Sequence, residues 1–349
     1  MVGTEMKKIL VIRNDKIGDF MLAWPSFAML KLSMPQAHIT ALVPKYTVQL
    51  AELCPWIDDV IVDCSTNADK AEQKALVANI KSRKFDASIN LFSTTYNALL
   101  VWKAGIKYRL APATKFAQIF YNHRIKQRRS QSAKPEYQYN LDLIRAFLNE
   151  QSVSVIEPQA PYFAFPKQTL NEQKEKLTEA LNIDAGKPWL FVHAGTGGSA
   201  NNLTLEQYAT MLTGLEHTHE LVVTAGPGEE EKAQQLLDLV VKKGGKGVVY
   251  SKNDGLIDFT RSIACASVFI AGSTGPLHIA ATLDVPTVGF FPSKRSSTPL
   301  RWRPLNSDKR HLAFSPPKGG GEEMEADMSR IDINTTLEQL NPWASQYLS

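Results

Sequence analysis

Cysteine is scarce in this chain. Cys54, Cys64 and Cys265 are the three present, and neither their number nor their spacing fits a disulfide framework or a zinc site. Three inert, reduced thiols and no bound metal are expected. Long apolar runs are missing as well: nothing approaches the roughly 18 consecutive apolar residues of a membrane span. The apolar run Ile9–Ile12, behind Lys7 and Lys8, is too short for a signal-peptide core, which points to the cytoplasm. No nucleic-acid-binding module accompanies the basic residues, so no nucleic-acid partner is expected. No short repeat suggests a solenoid.

What is present describes a globular protein. Hydrophobic residues make up 44% and charged residues 21%, which excludes a disordered chain. At 349 residues the length suits two domains. The net charge of +4 hides an asymmetry. Residues 1–165 hold 21 Lys+Arg against 14 Asp+Glu, a balance of +7; the remainder hold 18 against 21, a balance of −3. The excess gathers in Lys107–Lys134, which carries Arg109, Lys115, Arg124, Lys126, Arg128 and Arg129 without one acidic residue. That segment is either a solvated basic loop or a docking surface for an acidic substrate or an anionic membrane face.

Both halves alternate short β-branched runs with helical patterns, the pattern of doubly wound parallel sheets. In the first half, Lys8–Ile12, His38–Val43, Val60–Val62 and Phe85–Phe92 read as strands. Phe20 to about Leu32 and Asp69–Arg83 read as helices. Pro158, Pro161 and Pro166 interrupt the pattern, which puts a domain junction near 165/166. In the second half, Trp189–His193, Glu220–Thr224, Val268–Ala271 and, as the final strand, Pro286–Phe291 alternate with five helical patterns. The first of these is Leu170–Leu181; a last helix is expected over Thr335–Leu348. Ligands of such sheets bind at the carboxyl ends of the strands.

Four turns and a basic patch occupy those strand ends. The first turn is Arg13-Asn-Asp-Lys-Ile-Gly-Asp19. Gly18 would permit a tight turn and close approach of a substrate. Asp19 is either a helix cap or a general base for a hydroxyl; Asp15 and Lys16 read as exposed turn residues. His193-Ala-Gly-Thr-Gly-Gly-Ser-Ala200 holds Gly195, Thr196, Gly197, Gly198 and Ser199, whose N–H groups suit phosphate oxygens. It is neither a Walker A loop nor a clean dinucleotide fingerprint, and a plain strand–helix turn is the other reading. Ala225-Gly-Pro-Gly-Glu229 offers Gly226 and Glu229, the latter for ribose hydroxyls or as a charge at a helix start. Ala271–Ala280 offers Ser273, Thr274 and Gly275 for a diphosphate at a helix N-terminus. His278 there is either a core histidine or a site residue. Lys294 and Arg295 follow the last expected strand. Together these suggest a phosphate-bearing sugar donor in the second half and a hydroxyl-bearing acidic acceptor in the first.

The blocks "KILVIRNDKIGD", "FDASINLFSTTYNALLVWKAGIKYRL", "FVHAGTGGSANNLTLEQY", "VVTAGPGEEEKA" and "FIAGSTGPLHIAATLDVPTVGFF" follow one another in order over most of the chain. In them the sequence resembles the lipopolysaccharide heptosyltransferases, glycosyltransferase family 9. The T/S-G-P-x-H-x-A-A core is the most specific part. The resemblance implies an α/β fold of GT-B architecture: two Rossmann-like domains facing across a cleft, 1–165 for the acceptor and 166–349 for the nucleotide sugar. The terminal helix is expected to pack back on the first domain. It further implies metal-independent, inverting transfer of a heptose or related sugar from an ADP-sugar to an acidic lipopolysaccharide inner core, without a cofactor. Peripheral contact with the anionic inner membrane would go with such an acceptor. Asp19 matches the family's base. Two positions depart from the pattern: Ser273 stands where the family usually has Asp, and Asn201-Asn-Leu203 where it usually has Lys and an Asn-Trp-Pro-like sequence. Asn201 then joins the donor set, and Lys294 or Arg295 is left to neutralise the leaving diphosphate. Arg124, Lys126, Arg128 and Arg129 are expected to meet the acceptor together with Gly18, with Tyr121 packing on a sugar ring or lipid. Ser93–Asn97 is the alternative acceptor site. Two other readings stay open: a binding protein of weak or lost activity on the same scaffold, and a sugar-nucleotide epimerase.

Overall fold

A computed structural model describes residues 6–198 and 201–349. The chain divides into two units, 1–159 and 160–349, slightly before the junction expected at 165/166.

The first unit is a six-stranded parallel sheet with helices between its strands. In chain order come β1 (Lys8–Ile12), α1 (Ile17–Met21), α2 (Trp24–Ser33), β2 (His38–Pro44), α3 (Val48–Leu53), β3 (Asp59–Asp63) and α4 (Lys70–Ser82). β4 (Ala87–Asn90), α5 (Thr95–Lys103), β5 (Tyr108–Pro112), β6 (His123–Ile125) and α6 (Glu136–Glu150) follow. The strand order is β3-β2-β1-β4-β5-β6, every neighbour parallel. The order reverses direction between β1 and β4, the switch point at which such sheets bind ligands. β1 is central and wholly apolar beyond Lys8, with Ile9, Leu10, Val11 and Ile12 buried. That is the pattern of a strand covered on both faces. Asp69 and Glu72 close a reciprocal capping box at the start of α4.

The second unit repeats this plan. It holds α7 (Lys167–Leu181), β7 (Trp189–His193), α8 (Leu205–Thr213), β8 (Glu220–Thr224), α9 (Glu230–Lys242), β9 (Val248–Tyr250) and α10 (Leu256–Ala264). β10 (Val268–Gly272), α11 (Gly275–Thr282), β11 (Thr287–Phe290), β12 (His311–Phe314), α12 (Glu322–Ala326) and α13 (Ile333–Ala344) complete it. Its strand order, β12-β11-β10-β7-β8-β9, is that of the first sheet read from the other edge. β11 is therefore not the last strand: β12 pairs outside it. α13 commits Leu340 and Ala344, with Leu348 beyond it, to the core of the second unit, alongside Tyr208 and Leu212 of α8.

The segment 107–134 differs most from expectation. It is built into the sheet edge as β5 and β6, with Leu110 and Ala111 buried. The helix expected from Phe20 is two helices, because the chain bends at Leu22 and Ala23 before Pro25 opens α2.

Candidate active site

In the first unit β1 runs directly into Arg13, whose guanidinium is buried at 2% exposure. Its Nε and Nη2 donate to the two oxygens of Asp15, both at 2.9 Å. Nη2 also donates to Asp19 Oδ1 at 3.0 Å. Nη1 donates to Glu136 Oε1 at 3.0 Å and to Asn140 Oδ1 at 3.2 Å, both on α6. Glu136 is itself buried and accepts from Arg129 at 2.7 Å. Three carboxylates thus converge on one buried cation. Burial disfavours the Arg13 charge, but Asp15, Glu136 and Asp19 more than offset it, so its pKa rises. Asp15 is correspondingly half-buried and ion-paired rather than an exposed turn residue; Lys16 is exposed, as expected.

Asp19 is the least satisfied of the three. Burial pushes its pKa up to about 6, aided by Asp15 and Glu136 and opposed by Arg13 and Lys16. Among the described residues no protein group donates to its Oδ2, and its side chain keeps 16% exposure. The helix-cap reading fails on geometry: the N-cap of α1 is Lys16, and no side chain caps the helix. One oxygen is pinned and the other has no donor among the described residues, the arrangement a general base requires. Gly18 lies inside α1, its carbonyl accepting from Leu22, so no tight turn uses its conformational freedom.

A second polar cluster joins the ends of β1, β3 and β4. Asn14 Nδ2 donates to Asp63 at 2.7 Å and to Asn97 at 2.8 Å, and Asn97 donates back to Asn14 and to the Phe92 carbonyl. Tyr96 donates to Asp63 at 2.6 Å. Of the basic set, Arg124, Lys126 and Arg128 are exposed. Arg129 is not available in the same way, being held by Glu136 and stacked over Tyr139. Tyr121 is 1% exposed and its hydroxyl accepts from Asn90, so it cannot pack on an external ring.

In the second unit the loop after β7 is filled by a protein carboxylate. Glu229 accepts from the Gly197 N–H at 2.8 Å and the Gly226 N–H at 3.1 Å, and lies 3.3 Å from His193 Nε2. His193 and these N–H bonds hold its pKa down at about 2 against a smaller opposing effect of burial. A methyl group on Gly195 would collide with this carboxylate. The Gly197 N–H expected to meet phosphate is therefore engaged, and the Gly198 N–H turns to Thr196 Oγ1 at 3.2 Å. Ser199 lies outside the described residues. Asn201 reaches the Ala326 carbonyl at 3.0 Å. Asn202, which sequence reasoning passed over, ties Ala194 to Tyr208 and occupies the space beside Gly272.

The turn after β10 is different. Thr274 is the N-cap of α11 and buried, yet its hydroxyl has no partner among the described residues and makes no cap bond. His278, one turn on, is buried with Nδ1 unpartnered, and burial pulls its pKa down to about 4. The imidazole is neutral at pH 7. Ser273 and Gly275 are partly exposed beside them. Lys294 pairs with Glu322 at 3.0 Å, and Arg295 is exposed. Among the described residues no three His, Cys, Asp or Glu side chains gather as a metal site.

Two parallel Rossmann-like sheets, each with polar groups at its switch point, are the architecture of the GT-B class. The family profile of glycosyltransferase family 9 (heptosyltransferase) matches residues 74–325, and the chain belongs to that family. A Haemophilus influenzae protein with a provisional glycosyltransferase name is 54% identical over 338 residues, 96% of each chain. Two solved structures share the fold. Escherichia coli ADP-heptose lps heptosyltransferase II has a TM-score of 0.76 at 18% identity, covering 97% of this chain and 99% of that one. The E. coli heptosyltransferase WaaC with ADP has a TM-score of 0.71 at 17% identity, covering 97% and 100%. No helix among the described residues is long and apolar enough to cross a membrane.

Proposed function

We infer that the chain transfers a heptose or related sugar from an ADP-sugar to a hydroxyl of the lipopolysaccharide inner core, with inversion at the anomeric carbon. The observation that carries the reading is Asp19: a carboxylate with one oxygen fixed by buried Arg13, the other without a donor among the described residues, and a pKa raised to about 6. At neutral pH it is ionised and basic enough to take a proton from an acceptor hydroxyl as that oxygen attacks the anomeric carbon. The departing diphosphate leaves from the opposite face. Thr274 and the N-terminus of α11 offer it unspent donors, the Thr274 hydroxyl among them. Arg295, or Lys294 released from Glu322, would neutralise its growing charge. Glu229, ionised and anchored by two N–H groups, suits ribose hydroxyls rather than phosphate. The nucleotide is proposed as ADP because the related WaaC structure holds ADP. Arg124, Lys126 and Arg128 suit the carboxylates and phosphates of an acidic acceptor.

The test is product formation by mass spectrometry from ADP-, UDP- and GDP-sugars with lipid A–Kdo acceptors. ADP-heptose should give an acceptor enlarged by one heptose, and Asp19→Ala should bind nucleotide but transfer about a hundredfold or more slower. Binding without turnover across the panel would favour the second reading, a glycan- or nucleotide-binding protein; the engagement of Lys294 by Glu322 is the observation on its side.

A further inference from the structure

An acidic segment of the second unit sits on residues assigned above to the donor. After β12 the chain reads Pro316-Pro-Lys-Gly-Gly-Gly-Glu-Glu-Met-Glu-Ala-Asp327. Residues 319–329 carry Glu322, Glu323, Glu325 and Asp327 without one Lys or Arg. Both ends are fixed: Pro316 is buried, and Met328 and Ile331 belong to the core of the second unit. Between these anchors little is buried. Residues 317–324 are all exposed, and Gly319, Gly320 and Gly321 take φ values of +101°, +87° and +92° in succession. Only glycine adopts such a run readily. Three such residues in a row make a hinge, and the short acidic helix α12 is what the hinge carries.

α12 is seated on the loop that follows β11. Glu322 pairs with Lys294 at 3.0 Å. The Glu325 carbonyl accepts from the N–H of buried Ser293 at 2.9 Å. The Ala326 carbonyl accepts from Asn201 Nδ2 at 3.0 Å. Arg330 ties the segment to itself, donating to the Met324 carbonyl at 2.8 Å and to the Pro317 carbonyl at 3.4 Å. The loop neighbours the Thr274 turn, because β10 and β11 are adjacent and pair Gly272 with Phe290. A carboxylate on an ammonium occupies the position that a phosphate oxygen would take, with the same charge sign and the same donor. This pair is easily given up. The Glu322 side chain keeps 78% of its exposure and Lys294 35%, and pairs so exposed contribute little to stability. Opening so exposed a segment costs far less than unfolding the unit.

We propose that residues 317–327 form an autoinhibitory strap: in the free protein Glu322 holds Lys294 in place of a phosphate group, and a nucleoside diphosphate binds by displacing it, the strap lifting from Lys294, Ser293 and Asn201. This rests on the reading that Lys294 meets the leaving diphosphate. A diphosphate brings more negative charge to the ammonium than one carboxylate does, so the exchange favours the donor, and the strap settles back when the nucleotide leaves.

The experiment measures binding of ADP and of inorganic pyrophosphate to the intact protein by calorimetry. Glu322→Gln keeps the shape and removes the charge. It should bind both probes about two- to fivefold more tightly than the wild type at low salt, the worth of one exposed pair, and the gain should shrink as salt rises. Glu323→Gln makes the same change in net charge one residue away, where no ion pair with it forms among the described residues, and should bind as the wild type does. Both side chains are exposed, so both variants should keep the wild-type melting temperature. In hydrogen exchange, ADP should speed the amides of residues 317–327 and the Ser293 N–H, which gives up the Glu325 carbonyl, while slowing those of the turn 273–278. Equal affinities for the Glu322 and Glu323 variants, or a strap that exchanges more slowly with ADP bound, overturn the proposal: the segment would then be a fixed wall that helps to hold the donor. Lys294→Gln separates this result from the reading beneath it. Weaker binding by that variant with no gain from Glu322→Gln removes the strap alone. Unchanged binding by Lys294→Gln takes Lys294 away from the diphosphate and the strap with it, and leaves Asp19 as the base untouched. Binding of neither probe to any of these proteins overturns both.

Discussion

Replacing Asp19 by Asn removes the charge and keeps the shape, and the structure dictates opposite effects on stability and on rate. The native carboxyl titrates at about 6, against about 3.9 in an unfolded chain. Between those values the folded state holds the proton more tightly. Stability is therefore greatest below about pH 4 with respect to this group and falls as pH rises through 6. The shift to about 6 corresponds to at most about 3 kcal/mol lost by neutral pH. Asn cannot ionise, so Asp19→Asn should regain about 1–3 kcal/mol at pH 7.5 and nothing at pH 4. Arg13 loses one partner in the variant but keeps both oxygens of Asp15 and one of Glu136. For a unit of this size that gain means a melting temperature several degrees higher, about 2–4 °C per kcal/mol. Transfer should fall by about 10² to 10⁴. Wild-type kcat/KM should itself decline below pH 6, as the base protonates. Thermal melts of both proteins from pH 4 to 8, beside initial rates, supply the measurements. A variant that melts lower at pH 7.5 and still transfers would show that Asp19 is a structural ion-pair partner, and the assignment of the base would be withdrawn.

Three further outcomes follow from the same geometry. Arg13→Met should destabilise the first unit by about 3–5 kcal/mol in urea unfolding, because Asp15, Asp19 and Glu136 lose the buried cation between them; Arg13→Lys should not restore it, one ammonium being unable to reproduce the fork. Glu229→Gln should weaken nucleotide binding in calorimetry and flatten the acid side of the stability profile, since a carboxyl held at about 2 stabilises the fold above about pH 4.5 and loses that contribution as pH falls towards 2; an unchanged acid profile would remove Glu229 from the loop's support. Reversing Arg124, Lys126 and Arg128 should raise acceptor KM with nucleotide affinity unchanged, whereas Arg129→Glu should lower the melting temperature by setting a second carboxylate against buried Glu136; equal effects from all four would mean a diffuse charge effect.

The strands of the sheet centres were legible because burial on both faces leaves a short β-branched run with few alternatives: Lys8–Ile12 and Trp189–His193 match to the residue. Of the edge strands, β3 was legible as Val60–Val62, and the other three were not. β6 and β9 have three residues each, half polar or half exposed, and β12 keeps three of its four residues partly exposed. Their pairing is imposed by the neighbouring strand, not by a local pattern. At the site, Asp19 was visible from the Gly-Asp turn, but Arg13 as its anchor was not, because Glu136 and Asn140 lie more than a hundred residues away. The same holds for Glu229, which the sequence marked as a ligand contact but not as the filler of the Gly195–Gly198 loop, a role set by the crossing of two separate turns. Arg129 and Tyr121 looked like surface groups from composition alone; only the packing of α6 and β4 shows that they are committed inward.

The two sheets wind the same way, and each unit keeps its chemistry in loops anchored by its own core. Asp19 is set by Arg13, Glu136 and Asn140, all from the first unit, and Glu229 by His193, Gly197 and Gly226, all from the second. On the proposed assignment of the acceptor to the first unit and the donor to the second, selection can act on what is glycosylated without disturbing what is transferred. Relatives that diverge in acceptor should carry their substitutions before residue 160 and those that diverge in donor after it, and chimaeras exchanged at that boundary should inherit one preference from each parent.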